Sequence, residues 1–431
     1  MSREENRKNF SKYVSQNILG MIGFSCYVLA DSYFISIAKG ADGLTALNLV
    51  MPLYSIIFSI GEMIGVGSAI RYAIGKIKKD ADADDYFWNA IIWCIISSMI
   101  FVFAGIFFSA DIMRILGADE HIVAVGNNYT KIFMCFAPMF MCNYVTNAFV
   151  RNDGAPGIAM SATLFSSLFN IVFDYILMFP MNLGMEGAAL ATALSPIIGM
   201  GICSIHFFSK KSRVRLVVCK PSVRKLVAGC QLGVSAFVGE MSSAVITLAF
   251  NFVILKLAGN VGVAAYGVVA NIAIVTTAVF NGVAQGSQPL ISSCFGRGDK
   301  DGCTQLKRMG YITAFILAAV MYSILFIFAG QFVAVFNSEG SEMLRLYATE
   351  GVKLYFIGIF FAGINIVGGG AFSATEDAFK AAVVSVARGF VLILGAVFVM
   401  SALFGMTGVW LAYAVAEGIT TFIMLVMVLR V

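Results

Sequence analysis

Two phrases in this chain are nearly the same and lie 221 positions apart: Gly184-Met185-Glu186-Gly187-Ala188-Ala189-Leu190-Ala191 and Gly405-Met406-Thr407-Gly408-Val409-Trp410-Leu411-Ala412. Gly65, Ile70, Gly75 and Lys76 recur at the same offset as Gly286, Ile291, Gly296 and Arg297. Gly40, Gly43 and Ala46 recur 219 positions on as Gly259, Gly262 and Ala265. The chain therefore reads as two copies of one unit of about 220 residues. A repeat of that length constrains the whole fold before any local prediction is made.

Composition says what the unit is made of. The chain is 59% hydrophobic and 12% charged, about half the charge of a soluble domain. Apolar runs long enough to cross a bilayer as a helix of about 20 residues recur from end to end. We place them at 11–38, 45–70, 87–110, 128–149, 157–181, 187–208, 227–256, 262–293, 309–336, 346–371, 381–404 and 408–429. The expected fold is an all-α membrane protein of twelve transmembrane helices in two six-helix lobes. The lobes span 1–208 and 227–431 and are joined by a cytoplasmic linker, 209–226. Six spans per unit bring both copies in from the same side, so the pseudo-two-fold axis should lie along the membrane normal.

The basic residues test this count. With alternating loops, 23 of the 29 fall on the side of the N-terminus and 6 on the other. The bias predicts cytoplasmic N- and C-termini and an even number of spans. In that count Arg151 and Arg388 belong to the cytoplasmic side. The net charge of +5 then reflects topology, and no nucleic-acid partner is expected. The basic stretch 210–225 is read as a linker held at the anionic leaflet. Residues 1–12 are polar and the first apolar run is too long for a cleaved leader, so no signal peptide is expected. Nine cysteines show no ligand spacing, which predicts free thiols.

Ionisable residues inside a bilayer cost about 2.5–3.5 kcal/mol each on insertion scales and need a reason. Six acids qualify: Asp31, Glu62, Asp174, Glu186, Glu240 and Glu417. Glu186 opens a helix and suits its positive end. The fifth span carries Thr163, Ser167, Asn170 and Asp174 on one helical face, with Phe165, Phe169 and Ile176 opposite. The seventh span repeats the idea with Glu240, Ser243, Thr247 and Asn251, the second with Ser55, Ser59 and Glu62. The eighth has Asn281, Gln285 and Gln288 before Pro289. No intramembrane Lys or Arg stands out as a partner for the acids. Burial disfavours the charged form of a carboxyl group, so such an acid can take up H⁺ or Na⁺ on one side and release it on the other.

Several segments, in order, resemble the MATE (multidrug and toxic compound extrusion) transporters. They are Leu29-Ala30-Asp31-Ser32, Val150-Arg151-Asn152-Asp153-Gly154, Asn170-Ile171-Val172-Phe173-Asp174, Gly187 to Thr192, and Gly405 to Ala412 followed by Glu417. The fifth-helix motif is similar to that of the DinF-type branch. The resemblance implies a secondary active efflux antiporter that exports cationic or amphipathic small molecules in exchange for H⁺ or Na⁺ by alternating access. It also implies an N-lobe cation site of Asp31, Asn170, Asp174 and Thr192, and makes Glu240 a candidate for the second lobe. The tenth span reads Phe361-Ala362-Gly363-Ile364-Asn365, without the acid of the NorM branch, and the first-helix proline is missing near Gln16-Asn17. Glu62, Asn281, Gln285, Gln288 and Asn365 are the expected lining of a substrate cavity.

The competing reading from the same superfamily is a lipid-linked oligosaccharide flippase, which should carry more cationic residues in its cavity. A major-facilitator protein would show a different loop where Gly75-Lys76-Ile77-Lys78-Lys79-Asp80 stands. An enzyme is not expected: the two histidines, His121 and His206, lie near span ends. Nor is a cofactor or metal site. A bacterial plasma-membrane monomer is the expected setting.

Overall fold

A computed structural model of the chain describes residues 3–336 and 341–429. Nine described stretches are long and apolar enough to cross a bilayer. Two of them, Val223–Gly296 and Ala378–Val428, turn back on themselves at Gly259 and Gly405. The pair Glu120–Cys135 and Ala137–Asn152, bent by 46°, makes one more span. The result is twelve helices: α1 (Arg3–Gly40), α2 (Asp42–Lys78), α3 (Asp85–Ile115), α4 (120–152), α5 (Pro156–Met178), α6 (Gly184–Phe207), α7 (223–258), α8 (260–296), α9 (Lys300–Ile327), α10 (Glu342–Ala374), α11 (378–404) and α12 (406–428). The bend in α4 falls just before Pro138, which has no N–H for the helix ladder. A short helix, Ala329–Phe336, follows α9.

The repeat seen in the sequence is a repeat of turns. Gly40 and Gly259 adopt φ 59° and 63°, and Gly184 and Gly405 adopt φ 52° and 57°. These are left-handed conformations that only glycine takes without cost. They allow α1–α2, α7–α8 and α11–α12 to reverse within a residue or two. The reversal of α7 into α8 is tight enough that Phe250 stacks on Tyr266 at 4.9 Å.

The described residues bury two large apolar cores, beside two small clusters. One gathers Ile57, Phe133 and Met141 with others from the first six helices. The second gathers Phe280, Phe356 and Trp410. Sequence expectation and structure differ at the start: α1 begins at Arg3, not near residue 11, and its first turns send Phe10 and Val14 into the second core. The first helix therefore belongs to both lobes.

The two lobes touch at the end of the bundle that carries the N-terminus and the linker. A Cβ on Gly67 of α2 would lie 1.9 Å from the carbonyl oxygen of Gly229 in α7, and one on Gly233 would lie 2.0 Å from that of Met63. Backbones in such contact leave no gap for water. Gly282 and Gly286 of α8 meet Ile18 and Val14 of α1 in the same way. Polar contacts reinforce this end. Arg71 pairs with Glu376, Lys78 Nζ reaches the same carboxylate at 3.5 Å, and Asn6 donates to Gln305 Oε1 at 3.2 Å.

The linker is fixed to the first lobe by a residue that the sequence placed in a loop. Asp153, between α4 and α5, has a fully buried side chain. It accepts from Tyr72 Oη and from the Arg213 backbone N–H, both at 2.8 Å, and is bonded to His206 Nε2 at 2.8 Å. Further on, the Ser222 N–H donates to Asn89 Oδ1 at 2.7 Å, just before α7 begins.

Replacing Gly233 with valine should force α2 and α7 apart, at about 1–3 kcal/mol for overpacking. The half-buried Cys230, one turn away on α7, should then react faster with a membrane-impermeant maleimide. An unchanged rate would mean that this crossing does not hold the end closed.

Candidate functional site

The polar face of α5 is buried as its spacing predicts. Ser167, Asn170 and Asp174 are 5% exposed or less, while Phe165 on the opposite face is 58% exposed. Close packing of α5 against α6 brings the partner residue in: a Cβ on Gly187 would lie 2.8 Å from the backbone of Leu177. Ser166 Oγ donates to the Ser195 carbonyl at 2.6 Å and ties the same two helices. Five positions beyond Gly187, Thr192 faces Asn170. With its amide turned to suit both neighbours, Asn170 donates to Asp174 Oδ2 at 3.1 Å and accepts from Thr192 Oγ1 at 3.1 Å.

Asp31 of α1 completes this group. It is buried and close enough to Asp174 for their charges to interact. Each of the two carboxyl groups keeps one oxygen, Oδ1, with no hydrogen-bond partner. A buried, unpartnered carboxylate oxygen is costly. The four residues implied by the resemblance thus form one cluster, with no Lys or Arg paired to it among the described residues. Tyr27, one turn before Asp31, lies within electrostatic reach of Asp31, Asp174 and Glu240. Spacing along the chain gave no sign of it, because a tyrosine on a membrane helix is usually packing.

The second lobe solves the same problem differently. Glu417 of α12, 2% exposed at its side chain, is gripped by Arg388 of α11 with contacts at 2.7 and 3.0 Å. Asn365 of α10 donates to Glu417 Oε2 at 2.7 Å and accepts from Thr421 Oγ1 at 3.0 Å. This corrects the sequence reading that no intramembrane cation partners the acids, and it moves Arg388 off the cytoplasmic side. Arg388 sits in a π-helical turn, 387–391, a wider turn frequent at functional sites. The apolar residues on both sides of it, Val383, Val384 and Val386 before and Phe390, Val391 and Leu392 after, were the available signal.

Between the lobes lie two adjoining cavities. The first encloses about 1010 Å³ of atom-free space, part of it open to solvent, and the second about 630 Å³. Glu62, Glu240 and Gln285 line both. Asn281, Gln288 and Asn365 line the second, so all five expected cavity residues reach one cavity or the other. Gln285 Nε2 donates to Glu62 Oε1 at 3.2 Å across the lobe boundary. Arg151, at the end of α4, also faces the first cavity and is 5% exposed. The sequence placed it just beyond a span, and the structure buries it in the last turn of α4. Beyond Glu240 the polar stripe of α7 is not buried: Ser243 and Thr247 are exposed, and Thr247 Oγ1 donates back to the Ser243 carbonyl at 2.9 Å.

Twelve helices in two similar lobes, with a central cavity lined by acids of both and a buried pair of carboxyl groups in the first, define a membrane transporter. The chain belongs to the MatE family, whose model matches it twice, over residues 17–176 and 236–399, once in each copy of the repeat. It is 26% identical to the multidrug export protein MepA of Staphylococcus saprophyticus over 93% of this chain and 89% of that one. It is 27% identical to MepA of Staphylococcus aureus over the same shares. Its fold superposes on a solved outward-facing MATE transporter of the MOP superfamily with a TM-score of 0.91, 20% identity, and coverage of 99% of this chain and 96% of that one.

Breaking the second-lobe pair should be expensive. Glu417→Gln leaves the half-buried Arg388 without a counter-charge, at a cost of about 2–4 kcal/mol once its partial exposure is allowed for. Glu417→Leu combined with Arg388→Met should recover most of it. The check is the melting temperature of detergent-purified protein, where equal losses in the single and the double variant would refute the pairing.

Proposed function

We propose that the chain is a secondary active efflux antiporter. It exports cationic or amphipathic small molecules from a bacterium across the plasma membrane, in exchange for H⁺ or Na⁺. It works as a monomer with both termini cytoplasmic. The observation that carries this reading is the pair Asp31 and Asp174, buried together, each with an oxygen that nothing in the protein satisfies. A proton or a Na⁺ ion is the group that such a pair lacks. The names of the staphylococcal relatives support export of drugs.

In this reading, closure at the linker end leaves the cavity facing outward. Coupling-ion entry at Asp31, Asn170, Asp174 and Thr192 alters the packing of α1 against α5 and α6. That change releases substrate to the outside. Discharge of the ion inward, after the lobes rock, resets the site. One charge moving down 100 mV supplies about 2.3 kcal/mol, which is about a fifty-fold concentration ratio. Glu62 and Glu240 suit the positive group of a substrate. A lipid-linked oligosaccharide flippase would need a cationic cavity, and the two acids weigh against it.

Reconstituted proteoliposomes with an imposed pH or Na⁺ gradient test the reading. Gradient-driven export of a cationic dye should fall by more than tenfold in the Asp31→Asn, Asp174→Asn double variant. Loss only in Glu240→Gln would move coupling to the second lobe. Export unchanged in the double variant would sink the first-lobe site.

A further inference from the structure

The cavity contains a buried cation that neither coupling nor packing uses. Arg151 is 5% exposed and lines the same cavity as Glu62 and Glu240. Its contacts are with neutral groups: Nη1 donates to Gln285 Oε1 at 2.5 Å and lies 3.4 Å from Asn17 Oδ1. Its Nε has no hydrogen-bond partner among the described residues. Among the described residues, no carboxylate lies within ion-pair distance of it. Its near neighbour in the chain, Asp153, is already held by Tyr72, His206 and Arg213.

Comparison with Arg388 shows what this means. Arg151 is buried and Arg388 half-buried, and each lines one of the two cavities, but Arg388 is neutralised by Glu417 through Nε and Nη2. Its charge is spent inside the protein. Arg151 has no such ion pair among the described residues: Glu62 is within Coulombic range, but Gln285 stands between them. A guanidinium with an open N–H at the wall of a cavity is an anion-binding group. Gln285 links it to the acids, accepting from Arg151 on its oxygen and donating to Glu62 from its nitrogen. One cavity therefore presents a fixed positive group and two acids side by side.

We propose that Arg151 is an anion subsite, and that the molecules this cavity prefers are amphoteric. Their cationic group sits at Glu62 and Glu240, and a carboxylate sits on Arg151. This rests on the efflux reading and names a substrate class for it. A carboxylate would satisfy the orphan Nε and take over the acceptor role of Gln285. A plain monocation would leave Arg151 uncompensated beside it, and the two positive charges would repel.

The test uses a matched dye pair, a rhodamine with a free carboxyl group and its methyl ester, which is a simple cation. Binding to the full-length protein in nanodiscs is read by fluorescence polarisation, and export in proteoliposomes in parallel. In Arg151→Gln the Kd for the carboxylate dye should rise about tenfold, as for loss of a charge-assisted hydrogen bond, with the ester within about twofold of its wild-type value. Arg151→Lys should keep most of the preference for the acid, which a role in packing alone would not predict. Equal weakening of both dyes, or no change in either, overturns the anion subsite and leaves efflux standing. If the wild-type protein neither binds nor exports either dye, both readings fall together.

Discussion

A charge without a partner inside a membrane protein is the constraint on which this structure turns. A charge buried away from water must be met by the protein or by something that enters. The second lobe meets its acid internally, with Arg388 clasped to Glu417 and Asn365 filling the remaining acceptor. The first lobe does not. Asp31 and Asp174 share a buried site with Asn170 and Thr192, and two of their oxygens have no hydrogen-bond partner among the described residues. The acid at Glu417 is closed by an ion pair, and the pair in the first lobe is not.

Shape follows a second rule. Backbones come together only where side chains are absent, and here those places lie at one end of the molecule. Gly67, Gly229 and Gly233 let α2 and α7 touch, while Gly282 and Gly286 do the same for α8 against α1. Asp153 pins the linker to the first lobe at this same end. The cavities above the crossings are bounded by residues of both lobes, with Glu62 and Gln285 bonded across the divide. Any rocking that separates the crossings must also change that bond. Contact between the lobes and cavity chemistry are thus mechanically linked.

Much of this was legible in the chain. The fifth-helix stripe lies where its spacing puts it, because a helix has only one face to hide polar groups on. The recurrence of Gly40 at Gly259 and of Gly184 at Gly405 marked reversals that need a left-handed residue, and those conformations are present. Other residues were misread for a common reason. Arg151, Asp153 and Arg388 lie at or near span ends by hydropathy, and a charge at a span end is normally solvated. Whether such a side chain turns inward depends on helices far away in sequence. Gln285 meets Arg151 across 134 positions, and Tyr72 meets Asp153 across 81. The α7 stripe failed in the opposite way: Ser243 and Thr247 have the right spacing, but no helix covers them.

The sequence by itself determined the architecture: the apolar runs, their duplication, and the glycines at the turns. These are local properties, set by the cost of taking backbone and charge into lipid and by the conformations that glycine alone adopts. It also showed that the carboxylates were not duplicated with the scaffold, since Asp174 stands opposite Gly395 and Glu240 opposite Met21. Only the tertiary structure decided which of those charges were paired. Pairing depends on distances of a few ångströms between helices that are remote in the chain, and no periodicity encodes such distances. It gave Glu417 its arginine, left Asp31 and Asp174 without one, and turned Arg151 from an assumed surface residue into a cation at the wall of the cavity.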